Sequence, residues 1–451
     1  MTKTGEQFDT VIVGLGKTGM SCVRYLSGQG RSFVVIDSRS EPPELDTLRQ
    51  NYADVPCYLG SLHEGILSTA RQIIISPGVA LTEPAITAAA ANGAAVIGDI
   101  ELFCLQASAP IIAITGSNGK STVASMLHEM ILRSGKRSGL GGNIGTPALD
   151  LFSTDAPDFY VLELSSFQLE SIYSLNSVVA VMLNVTEDHM DRYQDINSYA
   201  QVKKKVYAGD GVMVINLDDK FAASVENRDR KSITYSLREP STGMFGIRTV
   251  DGERLLAYGT ELLLPISALQ IRGDHNLSNA LAVLALGMAI DLPMPAMLDS
   301  LKEFAGLPHR CQWLARIDGV DWYNDSKGTN VGASRAAING LAAAGDLILI
   351  AGGVAKDADF SQLAETVREH VRAVILIGRD ANVLAAALEG TCRIYSAISI
   401  DAAVHLAAEL VGEGGSVLLS PACASFDMFA DYQARGEAFS QAVSSLEKGH
   451  R

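Results

Sequence analysis

Cysteine is scarce in this chain. Six of 451 residues (Cys22, Cys57, Cys104, Cys311, Cys392 and Cys423) are scattered, and none form a C-x-x-C pair. That excludes a zinc-ribbon type site and a disulfide framework, and reduced thiols in a cytoplasmic protein are expected. Positive charge is also short, with 36 Lys and Arg against 51 Asp and Glu, a formal net charge of −15. Proteins that bind nucleic acid or anionic membranes need basic faces, so neither partner is expected. Long apolar runs are missing too. No stretch is long and uninterrupted enough to span a bilayer, and the first residues, Met1 to Gln7, have no apolar segment of the secretory kind. Internal repeats, coiled coils and low-complexity tracts are absent.

What is present is length and apolar content. Nearly half the residues are hydrophobic (47%), and at roughly 150 residues per domain the chain predicts about three domains. The most informative stretch runs from Ile111 to Thr122. An apolar strand ends in Thr115-Gly116, and Ser117-Asn118-Gly119-Lys120-Ser121-Thr122 then opens a helix through Leu132. This reads as strand, phosphate loop and helix. Glycines let backbone N–H groups approach phosphate oxygens, the helix start adds its positive dipole end, Lys120 can reach the outer phosphates, and Ser121 can hold magnesium. The spacing is a shortened variant, because Ile114 stands where the common loop has glycine.

Before this loop, a strand over 8–13 leads into Gly14-Leu15-Gly16-Lys17-Thr18-Gly19 and a helix through Leu26. A second strand ends in Asp37, where a dinucleotide fold places its ribose-binding acid. Taken alone this turn predicts a Rossmann unit that binds NAD(P) or another pyrophosphate. Further alternation closes a small parallel sheet near Gly98. After the loop, the glycine-dense stretch 139–145 fits a ligand loop or a plain loop equally. Strands ending in Glu163 and Asn184 precede Glu187, Asp188, His189 and Asp191. In parallel sheets ligands gather at the carboxyl ends of strands, where Lys120, Glu163 and His189 would converge as a magnesium-triphosphate site. A helix over 199–207 carries Lys203-Lys204-Lys205. Short antiparallel strands are predicted between Asp218 and Gly273, and an apolar helix over 275–290 bears Asn276 and Asn279 on its first turn. Gly306 to Arg310 is the expected linker to a third α/β unit, which ends in a second ligand loop, Ser420 to Asp427.

Six blocks occur in order: Thr-Gly-Ser-Asn-Gly-Lys-Ser (115–121), Glu-Leu-Ser-Ser-Phe-Gln-Leu-Glu (163–170), Asn-Val-Thr-Glu-Asp-His-Met-Asp-Arg-Tyr (184–193), Gly-Leu-Pro-His-Arg (306–310), Asn-Asp-Ser-Lys (324–327) and Ser-Pro-Ala-Cys-Ala-Ser (420–425). Together they resemble the Mur ligases of peptidoglycan synthesis over essentially the whole chain, and within them the branch that adds D-glutamate. The resemblance implies an α/β protein of three domains: a Rossmann-like unit that binds a UDP-sugar (1–98), a central P-loop ATPase-like parallel sheet that binds ATP (99–306), and a C-terminal Rossmann-like α/β unit that binds the amino acid (307–451). It further implies ATP-driven amide formation on UDP-N-acetylmuramoyl-L-alanine with D-glutamate, in the cytoplasm. Two magnesium sites, which manganese could fill, and a monomer are also expected.

Matching residues carry the family's roles as expectations. Gly116, Ser117, Asn118, Gly119, Lys120, Ser121 and Thr122 would bind ATP phosphates, with Asn276, Arg310 and Asp325 on the nucleotide. Ser121 and Glu163 would hold one magnesium. His189 would hold the second with a carbamylated lysine that maps to Lys203, with Lys204 the alternative. Carbamylation turns an amine into an anionic oxygen ligand, which a hard cation prefers. Arg310 could also neutralise the transferring phosphoryl group. The resemblance overrides the dinucleotide reading of the first unit: Leu15, Lys17, Thr18, Asp37, Ser38, Arg39, Ser76 and Asn143 would contact the UDP-sugar. Lys327, Thr329, Lys356, Ser425 and Phe426 would contact D-glutamate, and Tyr432 stands where phenylalanine is expected. The rival readings are an NAD(P) oxidoreductase, a non-catalytic nucleotide sensor, and a ligase of the same family with another amino acid. If Lys327 and Ser425 are to face Lys120, the last domain must close over the central one by hinging near 306–310.

Overall fold

The computed structural model describes residues 8–152, 155–225, 229–271, 273–341, 346–355 and 358–449. Their strands form three successive sheets. The first contains β1 (Thr10–Val13), β2 (Val34–Asp37), β3 (Cys57–Leu59), β4 (Gln72–Ile75) and β5 (Ala95–Gly98) in the order β3-β2-β1-β4-β5. All four pairings are parallel, with Val11 opposite Val34 and Ile73. A parallel sheet is covered on both faces, so β1 and β2 read as unbroken apolar runs (Thr-Val-Ile-Val, Val-Val-Ile-Asp) and are buried throughout. The turn after β1 is very tight. Gly14 has φ +97°, and a Cβ added at Gly19 would lie 1.8 Å from the Gly14 carbonyl oxygen. Only glycine lets the helix Lys17–Gly28 start this close to the strand.

The second sheet contains β6 (Ile111–Thr115), β7 (Ser138–Gly142), β8 (Phe159–Glu163), β9 (Val179–Met182), β10 (Val212–Asn216), β11 (Ser232–Tyr235), β12 (Met244–Val250), β13 (Glu253–Tyr258) and β14 (Glu261–Pro265). Its order is β14-β13-β12-β11-β10-β9-β6-β8-β7. β6 sits between β8 and β9 and is parallel to both. The chain therefore leaves β6 at a switch point, flanked by the ends of the strands that deliver Glu163 and Asn184. The antiparallel strands expected between Asp218 and Gly273 are present as the meander β12–β14, whereas β11 pairs parallel to both neighbours. The glycine-dense stretch at 139–145 departs from the loop reading. Its first half is the edge strand β7, where a Cβ on Gly142 would meet the Glu163 carbonyl oxygen at 2.4 Å.

The third sheet contains β15 (Gln312–Ile317), β16 (Val320–Asn324), β17 (Leu347–Gly352), β18 (Val371–Ile377), β19 (Arg393–Ser396) and β20 (Ser416–Leu419) in the order β15-β16-β20-β17-β18-β19. Only the β15–β16 pairing is antiparallel. In the middle of the chain the apolar helix Asp274–Ala289 is buried continuously from Asn279 to Gly287, and packs against the phosphate-loop helix Lys120–Arg133. No helix among the described residues is long and apolar enough to cross a membrane.

Substituting Gly19 tests the strand-to-helix turn. Gly19→Ala drives a methyl into backbone that cannot yield locally. We expect it to destabilise by about 1–3 kcal/mol, as overpacked cores do, and to lower the midpoint in a thermal unfolding scan. A midpoint equal to the parent's would contradict the close approach.

Candidate active site

The loop after β6 is held by the end of β9. Asn184 accepts the Asn118 N–H at 2.8 Å and returns its amide to the Asn118 carbonyl at 3.1 Å, while Ser117 donates to the Thr186 carbonyl at 2.9 Å. Gly119 is needed twice over, by φ +82° and because a Cβ would lie 2.5 Å from the Asn279 side-chain oxygen. The Gly116 carbonyl accepts from two lysine amines, Lys120 at 2.9 Å and Lys203 at 2.8 Å. Burial holds both lysines below their ordinary pKa, Lys203 well below, with Lys120 as the second cause there. Lys203 is only 1% exposed. Lys204 turns away to Ser224, so Lys203 is the lysine of the pair that faces the cavity.

Glu163 stands across the loop. It accepts from the Ser121 hydroxyl at 2.5 Å and from the Asn143 amide at 2.8 Å. Burial pushes its carboxyl up, but Lys120, Ser121, Arg310 and Asn143 outweigh that and keep it below the usual carboxylate range. His189, at φ +60°, lines the same cavity and packs on the Phe167 ring at 4.7 Å. Among the described residues no group of three His, Cys, Asp or Glu side chains could hold a metal alone. A hydroxyl and a carboxylate beside a phosphate loop do suit magnesium, which takes few protein ligands and fills its shell with phosphate oxygens and water; the His189 imidazole is the softer member of the set. Lys203 could join them only as an oxygen donor, since an ammonium is no ligand.

The last unit closes the cavity. Arg310 donates to the Ser121 hydroxyl at 2.5 Å. The Lys327 ammonium lies 4.0 Å from the Tyr432 ring centre, and burial, then Arg310 and Lys120, pull its pKa down to about 8. Thr329, Ser425 and the exposed Phe426 line the same space. Lys356 lies outside the described residues. An adjoining cavity between the phosphate loop, the helix Asp274–Ala289 and the last unit is lined by Thr122, Asn276, Asn279, Arg310 and Asp325. Asp325 is buried, accepts from Ser420 at 2.7 Å, and is pushed by burial up to about 7.

In the first unit, Lys17, Thr18, Asp37, Ser38, Arg39 and Ser76 surround a third cavity. Asn143 and Pro77 line both this cavity and the phosphate-loop cavity, so the two adjoin. Leu15 differs from expectation: its side chain is fully buried, and it meets the site only through its N–H, which donates to Asp37 at 2.7 Å. Asp37 also takes both arms of the Arg39 guanidinium, at 2.8 and 2.6 Å. Burial raises its pKa, but these donors win and hold it low. Its oxygens are thus occupied by protein donors, unlike the free ribose acid of the dinucleotide reading.

Three residues escaped the motif reading. Arg435, 1% exposed, donates to the Ser326 and Cys423 carbonyls and so ties together the two loops that carry Lys327 and Ser425. Arg192 pairs with Glu170 at 2.5 Å, reaches the Pro77 carbonyl at 3.1 Å and stacks on Phe167. Asn330 bridges to Asn118 and Asp188. Each acts through a partner more than a dozen residues away, which no local spacing signals. Asn330 alone had a cue, an Asn just before a helix.

Three family models match in succession: the Mur ligase MurD-like N-terminal domain over residues 8–98, the Mur ligase middle domain over 114–287, and the Mur ligase glutamate ligase domain over 309–423. A Nitrosococcus oceani protein named UDP-N-acetylmuramoylalanine--D-glutamate ligase is 52% identical over 97% of this chain and 96% of its own length. A Pseudomonas putida protein of the same name is 50% identical over 98% of each. Among solved structures, MurF from Acinetobacter baumannii aligns with a TM-score of 0.62 at 16% identity over 99% of this chain and 92% of its own. UDP-N-acetylmuramate-alanine ligase from Thermotoga maritima aligns with a TM-score of 0.60 at 17% identity over 97% and 100%. At that identity the likeness speaks for the fold.

A buried lysine with a depressed pKa should weaken the fold at neutral pH. Between its lowered folded value and its ordinary one, the unfolded chain binds more protons, so stability rises with pH. Lys203→Met removes this cost, and the Gly116 carbonyl keeps its bond from Lys120. We expect the variant to unfold at least about 2 °C higher than the parent at pH 7, with the gain shrinking toward pH 10. A constant difference across that range would sink the assignment.

Proposed function

The chain belongs to the Mur ligase family, and from that premise we propose that it uses ATP to join the alanyl carboxylate of UDP-N-acetylmuramoyl-L-alanine to the amine of D-glutamate in peptidoglycan precursor synthesis. The observation that supports this best is the adjoining of three cavities around one phosphate loop, with Asn143 shared on one side and Arg310 on the other. A UDP-sugar held at Lys17 and Arg39 would reach past Asn143 toward Lys120. A nucleotide held at Asn276 and Asp325 would reach the same lysine from the other side.

A carboxylate does not condense with an amine in water, because its oxygen is a poor leaving group. The alanyl carboxylate therefore attacks the γ-phosphorus, ADP leaves, and an acyl phosphate results. The amine of D-glutamate then attacks the carbonyl carbon, inorganic phosphate departs with the C–O bond electrons, and the amine loses a proton. Lys120 and Arg310 would stabilise charge moving between oxygens, which is the main protein contribution in phosphoryl transfer. Ser121, Glu163, His189 and a carbamylated Lys203 would hold two magnesium ions, with manganese a substitute, and the bound metal would neutralise phosphate charge. Lys327, Thr329, Ser425 and Phe426, together with Lys356, would receive the two carboxylates of D-glutamate. We infer that the enzyme works as a monomer in the cytoplasm, with domains spanning 1–98, 99–306 and 307–451.

Phosphate release should require ATP, the UDP-sugar and D-glutamate together. Lys120→Ala should lower it at least about 100-fold. Release with ATP and any amino acid alone would contradict the proposal. Lys327 adds a pH signature. Above about 8 its ammonium loses its charge, so kcat/KM for D-glutamate should fall as pH rises through that value. Lys327→Arg, which does not titrate there, should remove that component of the fall. A pH profile that is the same for both proteins would refute the role.

A further inference from the structure

Where the last unit meets the phosphate loop, one side chain touches both halves of the central machinery. Asn330 is 7% exposed and stands at the start of the helix Val331–Leu341. Its Oδ1 accepts the Ala333 N–H at 2.8 Å, which caps that helix. The cap fixes the orientation of the amide and leaves the NH2 group facing the central unit, while the same oxygen also accepts from the Asn118 amide at 3.5 Å. There Nδ2 donates to Asn118 Oδ1 and to Asp188 Oδ2, both at 3.2 Å. Asn118 meets it from a backbone already locked on Asn184, and its own amide reaches Thr186 Oγ1 at 3.2 Å. Two residues further on, the last unit comes closer still: a Cβ on Gly332 would lie 2.8 Å from Thr186 Oγ1. The contact is therefore built at two points of one helical turn.

We propose that Asn330 is a positioning residue, a clasp that exists only when the last unit is closed and that sets Lys327 and Thr329, on its own loop, against the phosphate loop. The bonds of its NH2 group are directional and cross between units, so opening breaks both at once while the helix cap stays. Closure is thereby transmitted to Asn118, in the loop that faces the phosphates, and to Asp188, the neighbour of His189. The activity part of this inference rests on the ligase reading above; the closure part does not.

The test uses the full chain with Asn330→Asp, Asn330→Ser and Gly332→Ala. Asp and Ser keep an oxygen for the helix cap, and Ala is a better helix former than Gly, so each variant should unfold within about 2 °C of the parent. Small-angle scattering of the ligand-free proteins should show a larger radius of gyration in all three. In the ligation assay kcat should fall about 10–100-fold, while KM for the UDP-sugar stays within about twofold, because that substrate is held by the first unit. The double variant Asn118→Ala with Asn330→Ser should lose less than the product of the two single losses, because both remove one shared bond. Turnover of Asn330→Asp within about twofold of the parent, or losses that multiply in the double variant, overturns the clasp. If the parent makes no product, the ligase reading fails instead, and scattering decides: unchanged radii then sink the clasp.

Discussion

Two lysine amines share one carbonyl oxygen. Lys120 and Lys203 both donate to the Gly116 carbonyl in a buried loop, with the Arg310 guanidinium on the hydroxyl of Ser121 beside them. A second positive charge beside Lys120 is disfavoured where water is excluded, which helps hold the Lys203 pKa low. Glu163 and Asp188 offset part of that, and they are the groups that raise both lysine pKa values against burial. A polyphosphate would bring anionic oxygens to Lys120 and Arg310, so the site suits a charged ligand.

The fold keeps such an arrangement from relaxing. β6 lies between β8 and β9, so the loop that follows is gripped on one side by Glu163 and on the other by Asn184 and Thr186. The helix Asp274–Ala289 comes so near that Gly119 has no room for a side chain. On the far side Arg435 staples the Ser326 and Cys423 carbonyls. A buried guanidinium with several carbonyl partners is costly to bring in and costlier to strand, which suits a part that must hold two loops in register. Catalytic groups that need fixed geometry thus stand on loops whose anchors are strand ends and buried polar bonds.

Much of this was legible in the sequence. The apolar runs of β1, β6, β8, β9, β17 and β18 announce buried parallel strands, and the blocks at their carboxyl ends mark the loops that meet. What could not be read follows from non-local pairing. β7 is built of Ser-Gly-Leu-Gly-Gly, a poor strand sequence, and exists because its glycines let it lie against β8. β19 and the β15–β16 hairpin carry mixed polarity at a sheet edge, where one side faces water and the pattern weakens. The helix Tyr432–Gly449 has no clean apolar stripe in sequence, yet seats Phe439 and Val443 against Trp322. Leu15 shows the same limit at a single residue: the motif marks the position, but only packing reveals that its side chain belongs to the core and that its N–H donates to Asp37.

The overall charge of −15 and the local chemistry pull in opposite directions. A nucleotide, a UDP-sugar and a dicarboxylate are all anions, and the mean field of the protein repels each of them. Local cations must therefore be concentrated where they outweigh that field within a Debye length, roughly 10 Å at moderate salt. On the proposed function, Lys17 would do this in the first unit, Lys120 at the phosphate loop, and Arg310 and Lys327 on the last unit. Because one cation set comes with each unit, the full positive density assembles only when the units are together. On that proposal closure would be more than a matter of shape: it would complete the electrostatic site, and ligands that neutralise that charge would favour the closed form in return.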